Sequence, residues 1–323
     1  RQASASHNRT LRDQVTGMLK YNTRIGDNHN VNALLGTECF REKSFSFNAS
    51  TRLSPTDLIP TMNVGSEAAG VPSSYRTGYE IASVFGQVNY DFDYKYLIGL
   101  TFRRDGTSRL ANNKYDFFPG VSLGWNVHEE DFFKESAAGD YISNLKPRVS
   151  YGVNGNIEVL SNFGVFGTYA PTSVYDTQSG YANTNLPLLD LKWERSTTLN
   201  FGLDLGLFND RVTIIGDYFI RDVKDKLADQ NLPLWTGFSS ITTNNGTLRN
   251  KGLELQVNSD IVKTNDWNWN LGLTYYSVKN YAHKLPDNGV ENNRQGGQEI
   301  YDPETGETKY VGGLQEGKRV GYD

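Results

Sequence analysis

Cysteine, methionine and long apolar runs are almost missing from this chain of 323 residues. A lone Cys39 closes no internal disulfide, so cysteine usage leaves the redox compartment open. No run of about 18 apolar residues occurs and the mean hydropathy is -0.55, which excludes a helical membrane span. The four histidines, His7, His29, His128 and His283, show no ligand spacing and have no Cys partners, so neither a metal site nor a cofactor is expected. A net charge of -5 offers no basic footprint for nucleic acid. The chain opens at Arg1-Gln2 without a start methionine or secretion signal and stops in polar sequence at Gly321-Tyr322-Asp323. It is therefore expected to be a piece of something larger.

What is present points to strands. Nineteen Tyr, 16 Phe, 5 Trp and 32 Gly outweigh helix-forming residues, as in an all-β chain. Asn200, Gly202, Asp204 and Gly206 alternate with Phe201, Leu203, Leu205 and Leu207. A strand sends successive side chains to opposite faces, so one face here is apolar and the other polar or bare. The pattern returns at 252–258 and 267–275. Runs this long, with aromatics towards their ends, read as lipid-facing strands of an antiparallel transmembrane β-barrel.

About ten strands are expected, near 11–21, 30–39, 82–92, 96–103, 118–127, 145–153, 198–207, 211–221, 251–261 and 267–278. Their connections alternate. Tight turns at 26–28, 93–95, 208–210 and 263–266 face long segments at 42–79, 154–192 and 222–250, as the periplasmic and extracellular rims of a barrel do. The 129–144 connection is too long for a hairpin and reads as a short helical or aromatic plug on the short-turn rim. Tyr90, Phe92, Tyr94 and Tyr96 at one tight turn, and Trp267 and Trp269 at another, suit a membrane boundary.

Motifs with catalytic overtones lose to their context. Gly120-Val121-Ser122-Leu123-Gly124 fits a nucleophile elbow, but Val121, Leu123 and Trp125 carry one dyad face straight through it, placing Ser122 mid-strand. His128 would lie about 20 Å from Ser122 along the same strand. The G-x-x-x-x-G-K of Gly312 to Lys318 is followed by Arg319 where a P-loop needs Ser or Thr. Arg103, Arg104, Asp105 and Arg109 form the densest charge cluster, expected at a pore mouth either to bind ligand or, preferably, to pin a loop through Arg–Asp pairs. On the long segments, Tyr169, Tyr175, Tyr181, Trp235 and Phe238 are candidates for stacking on substrate or anchoring a partner, with the alternative that Trp235 to Phe238 only folds its own loop.

Five stretches in order, YLIGLTFRRDGTSR at 96–109, FPGVSLGW at 118–125, LKPRVSYGVNGN at 145–156, LKWERSTT at 191–198 and NKGLEL at 250–255, resemble the barrel of SusC/RagA-type TonB-dependent transporters of Bacteroidetes. The resemblance implies an outer-membrane barrel of about 22 strands with a plugged lumen. It also implies a SusD-like surface lipoprotein as lid and import of oligosaccharides or peptides driven through TonB. Neither plug nor TonB box is recognisable here, and ten strands are too few to close such a barrel, so the chain is expected to be an internal barrel segment. A soluble glycan-binding β-sandwich and a lipolytic barrel enzyme are the rival readings.

Overall fold

Each expected strand forms. A computed structural model describes residues 2–56, 58–59, 61–175, 178–264 and 266–320; the side chains of 172–175, 179, 291, 299, 309 and 310 lie outside that description. Ten strands make one antiparallel meander: β1 (Gln2–Ile25), β2 (His29–Arg52), β3 (Ser73–Phe92), β4 (Tyr96–Thr107), β5 (Tyr115–Trp125), β6 (Ile142–Asn156), β7 (Glu194–Leu207), β8 (Val212–Asn231), β9 (Ser240–Lys263) and β10 (Asn268–Lys284). Each pairs with its chain neighbours, and a two-residue strand, Glu67–Ala68, adds to β2. Among the described residues β1 and β10 do not pair with each other, so the sheet is open.

One register row shows how the sequence pattern becomes a wall. Tyr21, Ala33, Val88, Leu100, Val121, Tyr151, Leu199 and Ile220 are successive partners across β1 to β8. The adjacent row, on the opposite face, runs Lys20, Leu34, Gln87, Thr101, Gly120, Gly152, Thr198 and Arg221. The first face is apolar and exposed, with Leu100, Phe201 and Leu203 open to the surroundings. Exposed apolar side chains over many strands suit lipid, and the other, mostly polar face suits an aqueous lumen.

The short rim matches expectation at 26–28, 93–95 and 208–210, while Asn265 of the 263–266 turn lies outside the described residues. Asp93 and Tyr94 both take positive φ, 52° and 55°, as a primed hairpin turn requires. His29, Phe92, Tyr96 and Trp125 line up along this rim, with Tyr96 and Trp125 stacked at 6.3 Å and 11°. The 129–144 connection folds as a 3-10 turn, Val127–Glu129, and one helical turn, Asp131–Lys134. It buries Phe133, and Trp125 Nε1 donates to Glu130 Oε1 at 3.0 Å. β5 consequently ends at Trp125, two residues short of the expected boundary.

The long rim differs from expectation. Segments 42–79 and 222–250 are mainly strand, because β2 continues to Arg52, β3 starts at Ser73, β8 runs to Asn231 and β9 starts at Ser240. The true connections are 53–72 and 232–239. Hydrophobic alternation stops where lipid stops, whereas the backbone ladder continues as long as partners are available. A strand of 24 residues such as β9, about 80 Å long, is more than twice the roughly 9–11 residues that a tilted strand needs to cross a bilayer. Beyond β10 a small hairpin, Gln298–Tyr301 with Thr308–Val311, forms where no strand was expected.

Candidate functional site

The polar face is tied together by arginines at its centre. Arg148 of β6 donates from Nε to Asp204 of β7 and from Nη2 to Asp217 of β8, both at 2.9 Å, and Asn200 Nδ2 donates to Asp217 at 2.7 Å. Nearer the long rim, Arg103 of β4 donates from Nε to Asp105 at 2.7 Å, and from Nη2 to Glu38 of β2 at 3.0 Å and Ser83 of β3 at 2.8 Å. Ser122 sits mid-strand between its partners Gly99 and Ser150, so no elbow forms. His128 Nδ1 meets the Leu145 backbone at the short rim instead.

The four charged residues read from sequence as one cluster separate. Arg103 and Asp105 pair on the lumen face, while Arg104, one step along the strand, lies over the Tyr115 ring on the lipid side at 5.3 Å. Arg109 stands above both, stacked on Tyr79 at 3.9 Å, with Nε donating to Asn162 at 2.8 Å. Consecutive strand residues cannot share a face, which splits a run that looks compact in sequence. Of the three arginines, Arg109 is the one that pins a long segment.

The 154–192 segment is packed down on the rim. Leu110 and Val165 are fully buried and form a core with Phe118, Val153, Ile157, Leu160, Leu191, Trp193 and Leu227. Phe118 and Trp193 meet edge to face at 5.6 Å, and Trp193 Nε1 donates to the Lys114 carbonyl at 3.1 Å. Asn162 continues the Arg109 contact to Thr77, and Asn112 donates to Asp190 at 2.9 Å. Glu194, only 2% exposed, accepts from Asn156 Nδ2 at 2.9 Å and from the Leu227 backbone at 2.8 Å. It bolts the segment's return point to β8. The sequence gives no sign of Leu110, Asn162 and Asp190, and marks Glu194 only as part of the 191–198 stretch; they follow no period, because loop geometry rather than strand pleat brings them together.

Two clefts result. One of about 470 Å³ opens between the packed segment and the 227–242 region, lined by Leu160, Asn185, Leu188, Asp229, Phe238 and Thr242 among others. A second, of about 420 Å³, lies on the polar face beneath the rim and brings Gln14, Glu38, Tyr79, Arg103, Asp105 and Trp193 together. At the base of the β8–β9 extension, Arg249 forks onto Asp222 with contacts of 2.6 and 2.7 Å, which holds the Asp222 carboxyl below its ordinary range.

Of the candidate aromatics, Phe238 lines the first cleft, and the others stand on the elements that border it. Tyr169 and Tyr181 are 72% and 73% exposed on the hairpin Thr168–Tyr175 with Gln178–Asn185. The register pairs Tyr169 with Asn183 and Pro171 with Tyr181, so both tyrosines share one hairpin face. The Tyr175 side chain lies outside the described residues. Trp235, 87% exposed, sits beside equally exposed Leu234 on a 3-10 turn that Gly237 closes at φ 81°. The turn is also tied to itself, Thr236 Oγ1 donating to the Pro233 carbonyl at 2.8 Å and the Phe238 backbone N–H donating to Thr236 Oγ1 at 3.3 Å. Phe238 is half-buried and faces the cleft.

Comparison with known proteins agrees with this architecture. Residues 2–313 match the family model described as TonB dependent receptor-like, beta-barrel. TonB-dependent receptor P3 of Formosa agariphila is 35% identical over 294 residues, covering 88% of this chain and 29% of that protein. TonB-dependent receptor SusC of Bacteroides thetaiotaomicron is 34% identical over 224 residues, covering 66% of this chain and 22% of SusC. The structure of the RagAB peptide transporter superposes with a TM-score of 0.82 at 25% identity, over 97% of this chain and 34% of that one. The chain thus spans less than a third of the length of the curated relatives it matches.

Proposed function

The chain belongs to the TonB-dependent receptor β-barrel family, in its SusC/RagA branch in the outer membrane, and from that premise we propose that it contributes ten barrel strands to an importer of oligosaccharides or peptides. In this reading the plug and the TonB-contacting segment belong to other parts of the same transporter, and a SusD-like surface lipoprotein closes the long rim. The alternative of a soluble β-sandwich would require the apolar face to be covered by a second sheet; that face is open in all ten strands.

The observation that carries the reading is the rim cleft with its exposed rings. Tyr169 and Tyr181 stand on one face of a projecting hairpin, Trp235 stands on a closed turn, and Phe238 lines the space of about 470 Å³ below. Rings held on rigid supports lose little side-chain freedom on contact, so they serve for stacking on a sugar or anchoring a protein surface. The 420 Å³ cleft with Arg103, Asp105 and Glu38 would then be met by cargo on its way into the lumen. The likeness to the RagAB peptide transporter supports peptides as one cargo class.

In the full-length transporter, replacing Tyr169, Tyr175 and Tyr181 together with alanine is expected to reduce uptake or lipoprotein co-purification while leaving barrel abundance unchanged. Unchanged uptake together with unchanged co-purification removes this hairpin from the site.

A further inference from the structure

The rim cleft and the lumen cleft share a wall, and a buried carboxylate runs through it. Leu160, Leu191 and Leu227 line the rim cleft, while Ile157 and Trp193 line the lumen cleft. All five belong to one buried cluster, so the wall between the clefts is apolar. Glu194, only 2% exposed, sits in this wall at the start of β7. Its Oε1 accepts the Leu227 backbone N–H at 2.8 Å, and its Oε2 accepts from Asn156 Nδ2 at 2.9 Å. Asn156 Oδ1 accepts the Glu158 backbone N–H at 3.0 Å, and both Asn156 and Glu158 line the lumen cleft. A continuous line of hydrogen bonds thus runs through Leu227, Glu194, Asn156 and Glu158, from the lining of one cleft to the lining of the other.

Stability alone does not call for a carboxylate in this place. Taking an ion out of water is costly, and a well-packed apolar side chain of similar volume commonly serves as well or better. Lys226 Nζ stands 3.6 Å from Oε1, yet its side chain is 35% exposed, so the pair is held only loosely. The rim end of the line is also built to move. The β8–β9 ladder breaks register on both sides of Lys226 and gives Leu227 no partner, and Asp225 takes a φ of 52°. The bond from the Leu227 N–H to Glu194 can therefore break without unzipping the strands. Its loss leaves a buried carboxylate with one donor fewer, and such a group draws harder on the donor that remains.

We propose that Glu194 is a relay between the two clefts. Loading of the rim cleft draws the Leu227 N–H away, Glu194 shifts onto Asn156, and Asn156 releases the Glu158 N–H at the lumen cleft. Occupancy at the rim is thereby felt in the lumen. The purpose of the relay rests on the reading of the clefts as successive stations for cargo; the relay itself is a property of the wall.

The test loads the rim cleft covalently in the purified full-length transporter and uses no cargo. Ser240 is exposed on the rim-cleft lining, so Ser240→Cys combined with Cys39→Ser is labelled with a benzyl maleimide. Labelling is expected to raise amide hydrogen exchange at Leu227 and at Glu158 by between about 5- and 150-fold, the ordinary range of coupling between sites, and to leave residues 147–152 of β6 unchanged. Glu194→Gln keeps the volume but offers one acceptor oxygen in place of two, so in that variant the label should no longer reach Glu158. Heat-modifiable mobility reports whether the variant assembles; if it does not, the labelled Ser240→Cys protein decides alone. An unchanged Glu158 amide after labelling overturns the relay. So does an equal response in assembled Glu194→Gln, or a rise that extends through 147–152. Uptake is not measured, so the relay can fail while the tyrosine hairpin passes its own test, and the reverse.

Discussion

The guanidinium of Arg148 lies over the bare Cα of Gly202, where an added Cβ would come 2.6 Å from Cζ. The glycine is what lets one arginine reach from β6 across β7 to Asp217 on β8 while also holding Asp204. Three strands are laced on the lumen face because one residue between them has no side chain.

Gly202→Val is therefore expected to displace Arg148 from both carboxylates and to destabilise the assembled barrel by about 1–3 kcal/mol, the usual cost of forcing atoms into an occupied space. The unfolding midpoint of the full-length transporter in detergent measures this. A midpoint equal to that of the wild type contradicts the role given to Gly202.

The two faces of β7 respond differently to charge. Leu203 is exposed on the lipid side, so Leu203→Arg should cost about 2–4 kcal/mol at mid-depth. Asp204→Asn leaves Arg148 its second carboxylate on Asp217 and should cost well under half of that. Comparable losses of membrane-assembled protein for the two variants would reverse the assignment of faces.

Acid should loosen the β8–β9 extension. Asp222 is held below the ordinary carboxylate range by Arg249, so the pair stabilises the folded extension at neutral pH and throughout the range above the unfolded carboxyl's pKa. That contribution falls away as pH drops through the depressed folded value. Hydrogen exchange of residues 222–250, corrected for intrinsic rate, is expected to be flat between pH 7 and pH 5 and to rise below about pH 4. Arg249→Gln should raise exchange already at neutral pH and flatten the acid step. An acid step of undiminished size in Arg249→Gln contradicts the assignment.

The edges of β1 and β10 bear on assembly. Among the described residues neither edge has a named strand beside it, and only the outer end of β10, at Asn280 and Ala282, bonds to the backbone of 317–320; in hydrocarbon an unpaired group costs several kcal/mol. Residues 1–323 expressed alone are expected to give no monodisperse, heat-resistant species. Recovery of one, seen as an unheated band shifted on gel electrophoresis, would show that the segment closes on itself.

The sequence by itself determined the ten strands, their antiparallel order, the tight-turn rim and which residues of β7 meet lipid. Those properties follow from a period of two and from turn residues, both of which act over a few neighbouring positions. It also carried the family, through five stretches that the match over residues 2–313 confirms. Tertiary structure alone decided the rest. How far β2 and β8 continue past the bilayer depends on partner backbones, because polar residues keep the ladder after alternation ends. The separation of Arg103 from Arg104 follows from pleat, but Arg109 meeting Tyr79 and Asn162 required a long segment to fold back. Glu194 bound to the Leu227 backbone, and Leu110 buried in one cluster with Val165 and Trp193, join positions far apart in the chain that no local pattern links.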